Sequence, residues 1–133
     1  MRTPNPEPPP RILVADDARD VADVYCVLLS SAGYRVQRAY DGLTALSLAK
    51  VTKPDLAILN FSMPGLTGIQ VLRELREAGS ATRVIITSGT SAFNELAFLA
   101  LREGAEACVQ QPCPTPRLLS MVARVFGAPA PRP

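Results

Sequence analysis

The segment that decides the fold reads Ile12-Leu13-Val14-Ala15-Asp16-Asp17, in which four apolar residues are followed at once by an acidic pair. A short, uninterrupted apolar run is typical of a strand buried on both faces, as in a parallel sheet. Ligand sites in such sheets lie at the carboxyl ends of the strands. The segment therefore predicts a buried strand that leads into a polar functional edge.

Strand and helix signals alternate from this segment to residue 126. Further strands are predicted around residues 34–39, 56–59, 84–86 and 107–109. Apolar residues at helical spacing follow each strand and predict helices around 21–32, 43–49, 69–75, 92–103 and 115–126. In the last of these, Thr115 is predicted as the N-cap and Pro116 as the first helical residue. Five strands, each followed by a helix, predict an α/β fold with a parallel sheet and helices on both faces.

Length and composition fit one globular domain. The chain has 133 residues, of which 47% are hydrophobic and 20% charged, and this is enough to bury a core without disulfides or metals. Eight of the 13 prolines lie close to the two ends. We therefore predict a proline-rich disordered tail over 1–10, a domain over 11–126 and a second disordered tail over 127–133.

Charge and residue content argue against several classes of function. The net charge of +2 does not call for a nucleic-acid or membrane partner. No apolar run approaches the roughly 18 residues of a membrane span, and the start of the chain does not resemble a secretion signal, so we expect a cytoplasmic protein. The chain has no histidine, and its three cysteines lack metal-ligand spacing. No glycine-rich phosphate loop of either common type is present, so an enzyme that binds or hydrolyses nucleotides is not expected.

Polar residues follow the predicted strands, and the segments around them resemble the receiver domain of two-component response regulators. The match extends over 12–126. The segments that carry it are 12–17, Pro54-Asp55-Leu56-Ala57-Ile58-Leu59-Asn60, Met63-Pro64-Gly65-Leu66-Thr67-Gly68, Val84-Ile85-Ile86-Thr87-Ser88-Gly89 and Arg102-Glu103-Gly104-Ala105. The resemblance implies a flavodoxin-like, doubly wound (βα)5 fold.

The resemblance also implies a defined pocket. In the family, an aspartate that ends the third strand takes a phosphoryl group from a histidine kinase, and an acidic pair together with that aspartate holds Mg²⁺. A lysine after the fifth strand pairs with the acceptor, a Ser or Thr after the fourth strand bonds the phosphoryl oxygen, and an aromatic residue on the fifth strand responds. Asp16 and Asp17 match the acidic pair, and Ser88 matches the hydroxyl.

Three other positions differ from the family pattern. Asn60 stands at the acceptor position, Gln111 at the lysine position and Cys108 at the aromatic position. A carboxamide is neutral and a very poor nucleophile, so we predict that this degenerate pocket does not accept a phosphoryl group. The two amide substitutions together keep the pocket's net charge at −2, and we hypothesise a hydrogen bond between Asn60 and Gln111. Gln111-Pro112 matches a family step whose peptide is usually cis, although sequence alone favours trans.

The carboxylates of Asp16 and Asp17 are the candidate metal ligands. Mg²⁺ prefers carboxylate oxygens, and an amide at the third position is expected to weaken its binding. The alternatives are a weakly held Mg²⁺ and a solvated acidic pair with no cofactor.

The predicted fourth helix carries more apolar residues than one core-facing stripe needs. The resemblance assigns Ala97, Ala100 and Leu101 to inward positions, which leaves Phe98 and Leu99 facing water. An exposed apolar patch usually marks an interface, and the alternative is a wide core stripe. The resemblance implies protein partners, such as a histidine kinase, another regulator or an output protein, or a homodimer through the fourth helix, fifth strand and fifth helix.

These observations predict a single-domain atypical receiver that is not an enzyme and not phosphorylated. It would act in two-component signal transduction through protein–protein interaction. The alternative is a phosphorelay receiver that a histidine kinase still phosphorylates at a substitute acceptor. Ser62 and Ser88 are the hydroxyls available for that role, but no histidine or lysine lies near them in the sequence pattern to act as a base.

Overall fold

The computed structural model describes residues 8–127. The tail predictions for residues 1–7 and 128–133 lie outside the described residues. Pro10, at the start of the described part, contributes to the edge of the sheet, because its carbonyl oxygen accepts a hydrogen bond from the Arg35 amide at 3.0 Å.

Five strands and five helices alternate along the described chain. The strands are Arg11–Ala15 (β1), Arg35–Ala39 (β2), Leu56–Asn60 (β3), Arg83–Ser88 (β4) and Ala107–Gln110 (β5). The helices are Arg19–Ser31 (α1), Gly42–Thr52 (α2), Gly68–Glu77 (α3), Phe93–Arg102 (α4) and Thr115–Val125 (α5). All neighbouring strands pair in parallel, in the order β2-β1-β3-β4-β5. The predicted flavodoxin-like, doubly wound α/β fold is confirmed.

Alternate residues of each central strand enter two separate cores. Leu13 and Ala15 face α2, α3 and α4, whereas Ile12 and Val14 face α1 and α5. All four side chains are at most 1% exposed, which is why the strand sequence is apolar without alternation. The same division extends through β3 and β4, so the sheet separates two helical layers.

Two helices begin at side chains that cap their free amides. The Asp41 carboxylate accepts from the Thr44 amide at 2.7 Å at the start of α2. At the start of α3, Thr67 and Gln70 form a capping box with hydrogen bonds of 2.8 and 3.1 Å. The prediction of Thr115 as the N-cap of α5 is wrong. Pro114, whose backbone is extended (φ −59°, ψ 139°), is the N-cap there, and Thr115 is already the first helical residue; proline has no side-chain group to cap the helix, so no such hydrogen bond forms.

The strand order places the functional edge. The chain leaves β1 through α1 to reach β2 on one side, and later returns to β3 on the other side of β1. The carboxyl ends of β1 and β3 therefore form a crevice at the point where the connections diverge, which is where doubly wound sheets bind ligands. Within residues 8–127, no helix combines the length and apolar character that crossing a membrane requires.

Candidate functional site

The carboxyl ends of the strands bring four of the predicted pocket residues into one hydrogen-bonded cluster. Asp16 directly follows β1, Asn60 is the last residue of β3, and Gln111 directly follows β5. Asp17 joins them through a longer contact with Asn60. Four side chains that are far apart in the sequence are thus gathered by the parallel arrangement of the strands.

Asp16 is the centre of this cluster. Its Oδ1 accepts from the Ala18 amide at 3.0 Å and from Asn60 Nδ2 at 3.1 Å, and its Oδ2 accepts from Gln111 Nε2 at 3.5 Å. The residue is only 3% exposed. Burial raises the pKa of Asp16, and the bonds from Ala18 and Gln111 act in the opposite direction. A buried carboxylate is therefore held by three donors, none of them a cation.

Asn60 directs its amide nitrogen into a ring of oxygen atoms. Nδ2 lies 3.1 Å from Asp16 Oδ1, 3.4 Å from Asp17 Oδ1 and 3.1 Å from the carbonyl oxygen of Ser62. The opposite orientation of the carboxamide would point its own oxygen at these three acceptors. These three surrounding acceptors thus fix the orientation of the side chain.

The start of α3 locks the backbone beneath Asn60. The Gly68 amide donates to the Phe61 carbonyl oxygen at 3.0 Å. A Cβ atom at Gly68 would lie 2.6 Å from the Asn60 carbonyl oxygen, closer than real side-chain carbons approach. Glycine is therefore required here for the helix to pack against the end of β3.

Gln111 does not bond to Asn60, so the hypothesis of a direct amide–amide hydrogen bond is wrong. Its Nε2 donates to Asp16 Oδ2 at 3.5 Å and to the Tyr25 hydroxyl at 3.2 Å. An ionised carboxylate is a stronger acceptor than a neutral carbonyl, and Asp16 offers one oxygen to each amide. The Gln111-Pro112 peptide is cis, as the family resemblance implies.

Ser88 and Cys108 border the cluster without bonding to it in the described residues. The Ser88 hydroxyl oxygen accepts from the Thr90 amide at 3.1 Å, which turns it toward its own loop. Cys108 is half-buried, and burial raises the pKa of its thiol, which keeps it protonated. Cys108 and Gln111 line a cavity of about 430 Å³ together with Phe93.

Three oxygen atoms converge on the Asn60 amide nitrogen. They belong to Asp16, Asp17 and the backbone carbonyl of Ser62. Mg²⁺ binds oxygen atoms with near-octahedral geometry. An NH₂ group occupies the point on which they converge. Among residues 8–127, no cluster of three or more His, Cys, Asp and Glu side chains could hold a metal ion.

The outer face of α4 is apolar and exposed. Phe98 is 65% exposed and Leu99 is 37% exposed, as the sequence predicts, although their role in an interface stays a prediction. The inward placement of Leu101 is wrong, since it is 51% exposed. At about 100° per residue, Leu96 and Ala100 already fill the core-facing side, and Leu101 is rotated away from it toward Phe98.

Tyr25 and the Ser62 carbonyl are pocket groups that sequence reasoning missed. Tyr25 is a buried residue of α1, and its hydroxyl accepts a hydrogen bond from Gln111 Nε2. A buried tyrosine among aliphatic positions needs a hydrogen-bond partner, and this was the available signal. The Ser62 carbonyl belongs to the backbone, so no residue type in the sequence could indicate it.

Fold and edge together define a receiver-type signalling domain. The family model described as the response regulator receiver domain matches residues 12–123. The chain therefore belongs to the response regulator receiver domain family.

Relatives extend this assignment. The chain is 42% identical over 106 residues to protein-glutamate methylesterase/protein-glutamine glutaminase 5 of Myxococcus xanthus (strain DK1622), a match covering 78% of this chain and 30% of that protein. The chain thus spans about a third of the length of that curated relative. The receiver domain of the Francisella response regulator 1452 superposes with a TM-score of 0.83 at 29% identity, covering 89% of this chain and 97% of that one. The signal receiver domain of the putative response regulator NarL from Mycobacterium tuberculosis gives the same TM-score and identity, covering 91% and 99%.

Proposed function

We propose that this chain is an atypical receiver that works in two-component signalling through protein contacts, without accepting a phosphoryl group. The observation that carries the proposal is the carboxamide of Asn60 at the end of β3, where the family places its acceptor aspartate. Transfer requires an anionic oxygen to attack phosphorus, and an amide oxygen is a very poor nucleophile. Positioning and charge stabilisation cannot replace a missing nucleophile.

The replacement of both the acceptor aspartate and the lysine by amides also supports the proposal. A receiver with aspartate and lysine at these positions would hold three carboxylates and one ammonium. This pocket holds Asp16 and Asp17 with two amides, so the net charge is unchanged. Both amides donate to Asp16, and this gives the buried carboxylate the donors that a lysine would otherwise supply.

Conversion of Asn60 into aspartate by spontaneous deamidation is disfavoured by the backbone. That reaction needs the next backbone nitrogen, of Phe61, to attack the side-chain carbonyl carbon. The Phe61 amide instead donates to the Thr87 carbonyl oxygen at 2.7 Å, and Asn60 is part of β3. The pocket is therefore expected to keep its carboxamide.

A substitute acceptor is the alternative function, and the hydroxyls near the pocket are poorly placed for it. Ser88 is buried, and its oxygen is engaged by Thr90. Ser62 is exposed, but no histidine exists in the chain to activate it. These contacts favour the unphosphorylated receiver.

Signalling through contacts requires a surface, and we propose the apolar face of α4. Phe98 and Leu99 project from this helix with Leu101 beside them, and the Arg102 guanidinium lies 5.8 Å from the centre of the Phe98 ring. Exposed apolar clusters of this kind mark protein interfaces. We propose a histidine kinase, another regulator, an output protein or a second copy of the chain as the occupant, the last through α4, β5 and α5.

The proposed role needs no enzymatic activity, nucleic acid or membrane surface, and it places the protein in the cytoplasm. It uses no cofactor, or at most a weakly held Mg²⁺ at Asp16 and Asp17. Without a chemical trigger, the conformation is set by the sequence and by the partner that prefers one state.

Intact mass spectrometry tests the proposal directly. The chain is incubated with a small phosphodonor and Mg²⁺, and no mass gain of one phosphoryl group is expected. The Asn60→Asp variant is the matched positive arm, because it restores the carboxylate while Gln111 remains. A phosphoryl group on the unaltered chain would overturn the proposal, and mapping a stable phosphate ester to Ser62 or Ser88 would establish the alternative.

A further inference from the structure

We infer that the Asn60 amide nitrogen takes the position of a metal cation in this pocket, so that its hydrogen bonds satisfy the oxygens of the acidic edge and close the site to Mg²⁺. The inference rests on the proposed function and deepens it, because it concerns the regulation of the same site. We expect the pocket to have the same structure with and without a divalent metal ion.

The position of the nitrogen carries this inference. Two carboxylate oxygens and one carbonyl oxygen surround Asn60 Nδ2 at 3.1 to 3.4 Å. These oxygens belong to Asp16, Asp17 and Ser62, which lie on two different connections, after β1 and after β3. Oxygen atoms from two loops that converge on one point form the kind of environment that a hard cation requires. Here the point is filled by an NH₂ group with partial positive charge on both hydrogens.

Admission of Mg²⁺ would require the pocket to be rearranged. The hydrogens of Nδ2 point toward the same oxygens that the ion would need, so the carboxamide would have to rotate and present its Oδ1. That rotation removes the hydrogen bonds to Asp16 and Asp17 and to the Ser62 carbonyl at once. Mg²⁺ also gives up its water reluctantly, and from residue 60 it would gain only a neutral ligand in return.

The buried polar groups are also satisfied without a metal. Among residues 8–127, no buried side-chain nitrogen or oxygen atom lacks a hydrogen-bond partner. Asp16 has three donors, and the Asn60 nitrogen has three acceptors.

The test is a Mg²⁺ titration followed by calorimetry and by two-dimensional amide NMR of the full chain. The unaltered chain is expected to show no saturable binding at millimolar Mg²⁺, and the Asn60 side-chain NH₂ resonances are expected to stay unshifted. Asn60→Asp, with three carboxylates, is expected to bind Mg²⁺ roughly ten- to a hundredfold more tightly than the unaltered chain. Asn94→Asp is the matched control, because it makes the same change at an exposed site on α4 and should not gain binding.

A second variant keeps the test decisive if three carboxylates prevent folding. Asn60→Ala removes the nitrogen and leaves its three oxygen neighbours in place. Its melting temperature is expected to fall in the presence of a chelator and to recover in part with Mg²⁺, whereas that of the unaltered chain should not depend on Mg²⁺. The inference is overturned if the unaltered chain binds Mg²⁺ within about threefold of Asn60→Asp, or if Asn60→Ala shows no Mg²⁺ response.

The two proposals fail in different experiments. Saturable Mg²⁺ binding by a chain that gains no phosphoryl group would defeat only the inference about the cation position. A phosphoryl group on a chain that shows no Mg²⁺ binding would defeat only the proposed function.

Discussion

The pocket at the carboxyl edge and the outer face of α4 differ in how far the chain itself pairs their polar groups and covers their apolar surface. In the pocket, a carboxylate that is only 3% exposed receives hydrogen bonds from a backbone amide and from the side chains of Asn60 and Gln111. On α4, Phe98 and Leu101 are more than half exposed, and no apolar surface of the described chain covers them. The buried carboxylate has its hydrogen-bond partners within the chain, whereas the apolar side chains of α4 are left uncovered.

This difference indicates where the protein can respond to its surroundings. A pocket whose buried polar side-chain atoms are all paired gains little from a ligand there, because a new bond to them must replace an existing one. An exposed apolar face gains free energy whenever a partner removes it from water. We therefore expect ligands to bind weakly at the sheet edge and protein partners to bind at α4.

The largest expected change in the free energy of unfolding is on the core-facing side of α4, and the solvent-facing side of the same helix is its comparison. Leu96 faces the core and Phe98 faces solvent, with exposed fractions of 7% and 65%. Leu96→Ala should lower the free energy of unfolding by about 2–5 kcal/mol, while Phe98→Ala should change it by less than about 0.5 kcal/mol. Urea denaturation measures both. Equal losses would mean that Phe98 is packed within the domain and that α4 has no free apolar face.

Loss of the Asn60 amide should have the next largest effect. Asn60→Leu keeps the approximate size but removes a hydrogen bond to the buried Asp16 carboxylate, and should cost about 1.5–3 kcal/mol. Asn94→Leu, at an exposed position on α4, is the control and should change the free energy of unfolding by less than about 0.5 kcal/mol. If Asn60→Leu proved neutral, the view that the pocket depends on its internal donors would be wrong.

The close approach of α3 to the pocket gives a third test. Gly68→Ala places a Cβ atom 2.6 Å from the Asn60 carbonyl oxygen and should cost about 1–3 kcal/mol through the shift it forces. Gly89→Ala is matched, since a Cβ there would meet nothing closer than 3.9 Å. Thermal denaturation compares them. Similar melting temperatures for the two variants would show that the end of β3 can relax away from the helix.

The smallest effect is expected at the Tyr25 hydroxyl. Tyr25→Phe removes the 3.2 Å bond from Gln111 Nε2 and should cost about 0.5–1.5 kcal/mol, leaving the longer bond to Asp16 in place. The half-buried Tyr34 is the control, because its hydroxyl makes no hydrogen bond among the described residues. A loss in Tyr34→Phe as large as in Tyr25→Phe would remove Tyr25 from the set of pocket residues.

Much of the fold could be predicted because local sequence and tertiary packing agree. The uninterrupted apolar run at residues 12–15 has no polar face to offer to water, so it had to be covered on both sides. The capping signals gave helix starts only approximately. Thr115 has the chemistry of an N-cap, yet the backbone turns one residue earlier, at Pro114.

The sequence predicted which residues form the pocket but not which hydrogen bonds they make. The strand ends identified Asp16, Asp17, Asn60 and Gln111, because parallel strands all deliver their last residues to one edge. Two amides suggested a bond between themselves, since each has a donor and an acceptor. The fold instead places the Asp16 carboxylate within reach of both, and a charged acceptor is preferred.

The sequence by itself determined the strand–helix alternation, the chemistry of the side chains at the strand ends and the absence of a carboxylate at residue 60, because these depend on residue type and spacing. Only the tertiary structure decided which way the amides point, that Tyr25 and the Ser62 carbonyl join the pocket, and that Leu101 lies outside the core. The reason is physical. A side chain's hydrogen bonds and burial depend on groups that other elements bring within a few ångströms, and that proximity is a property of the folded chain.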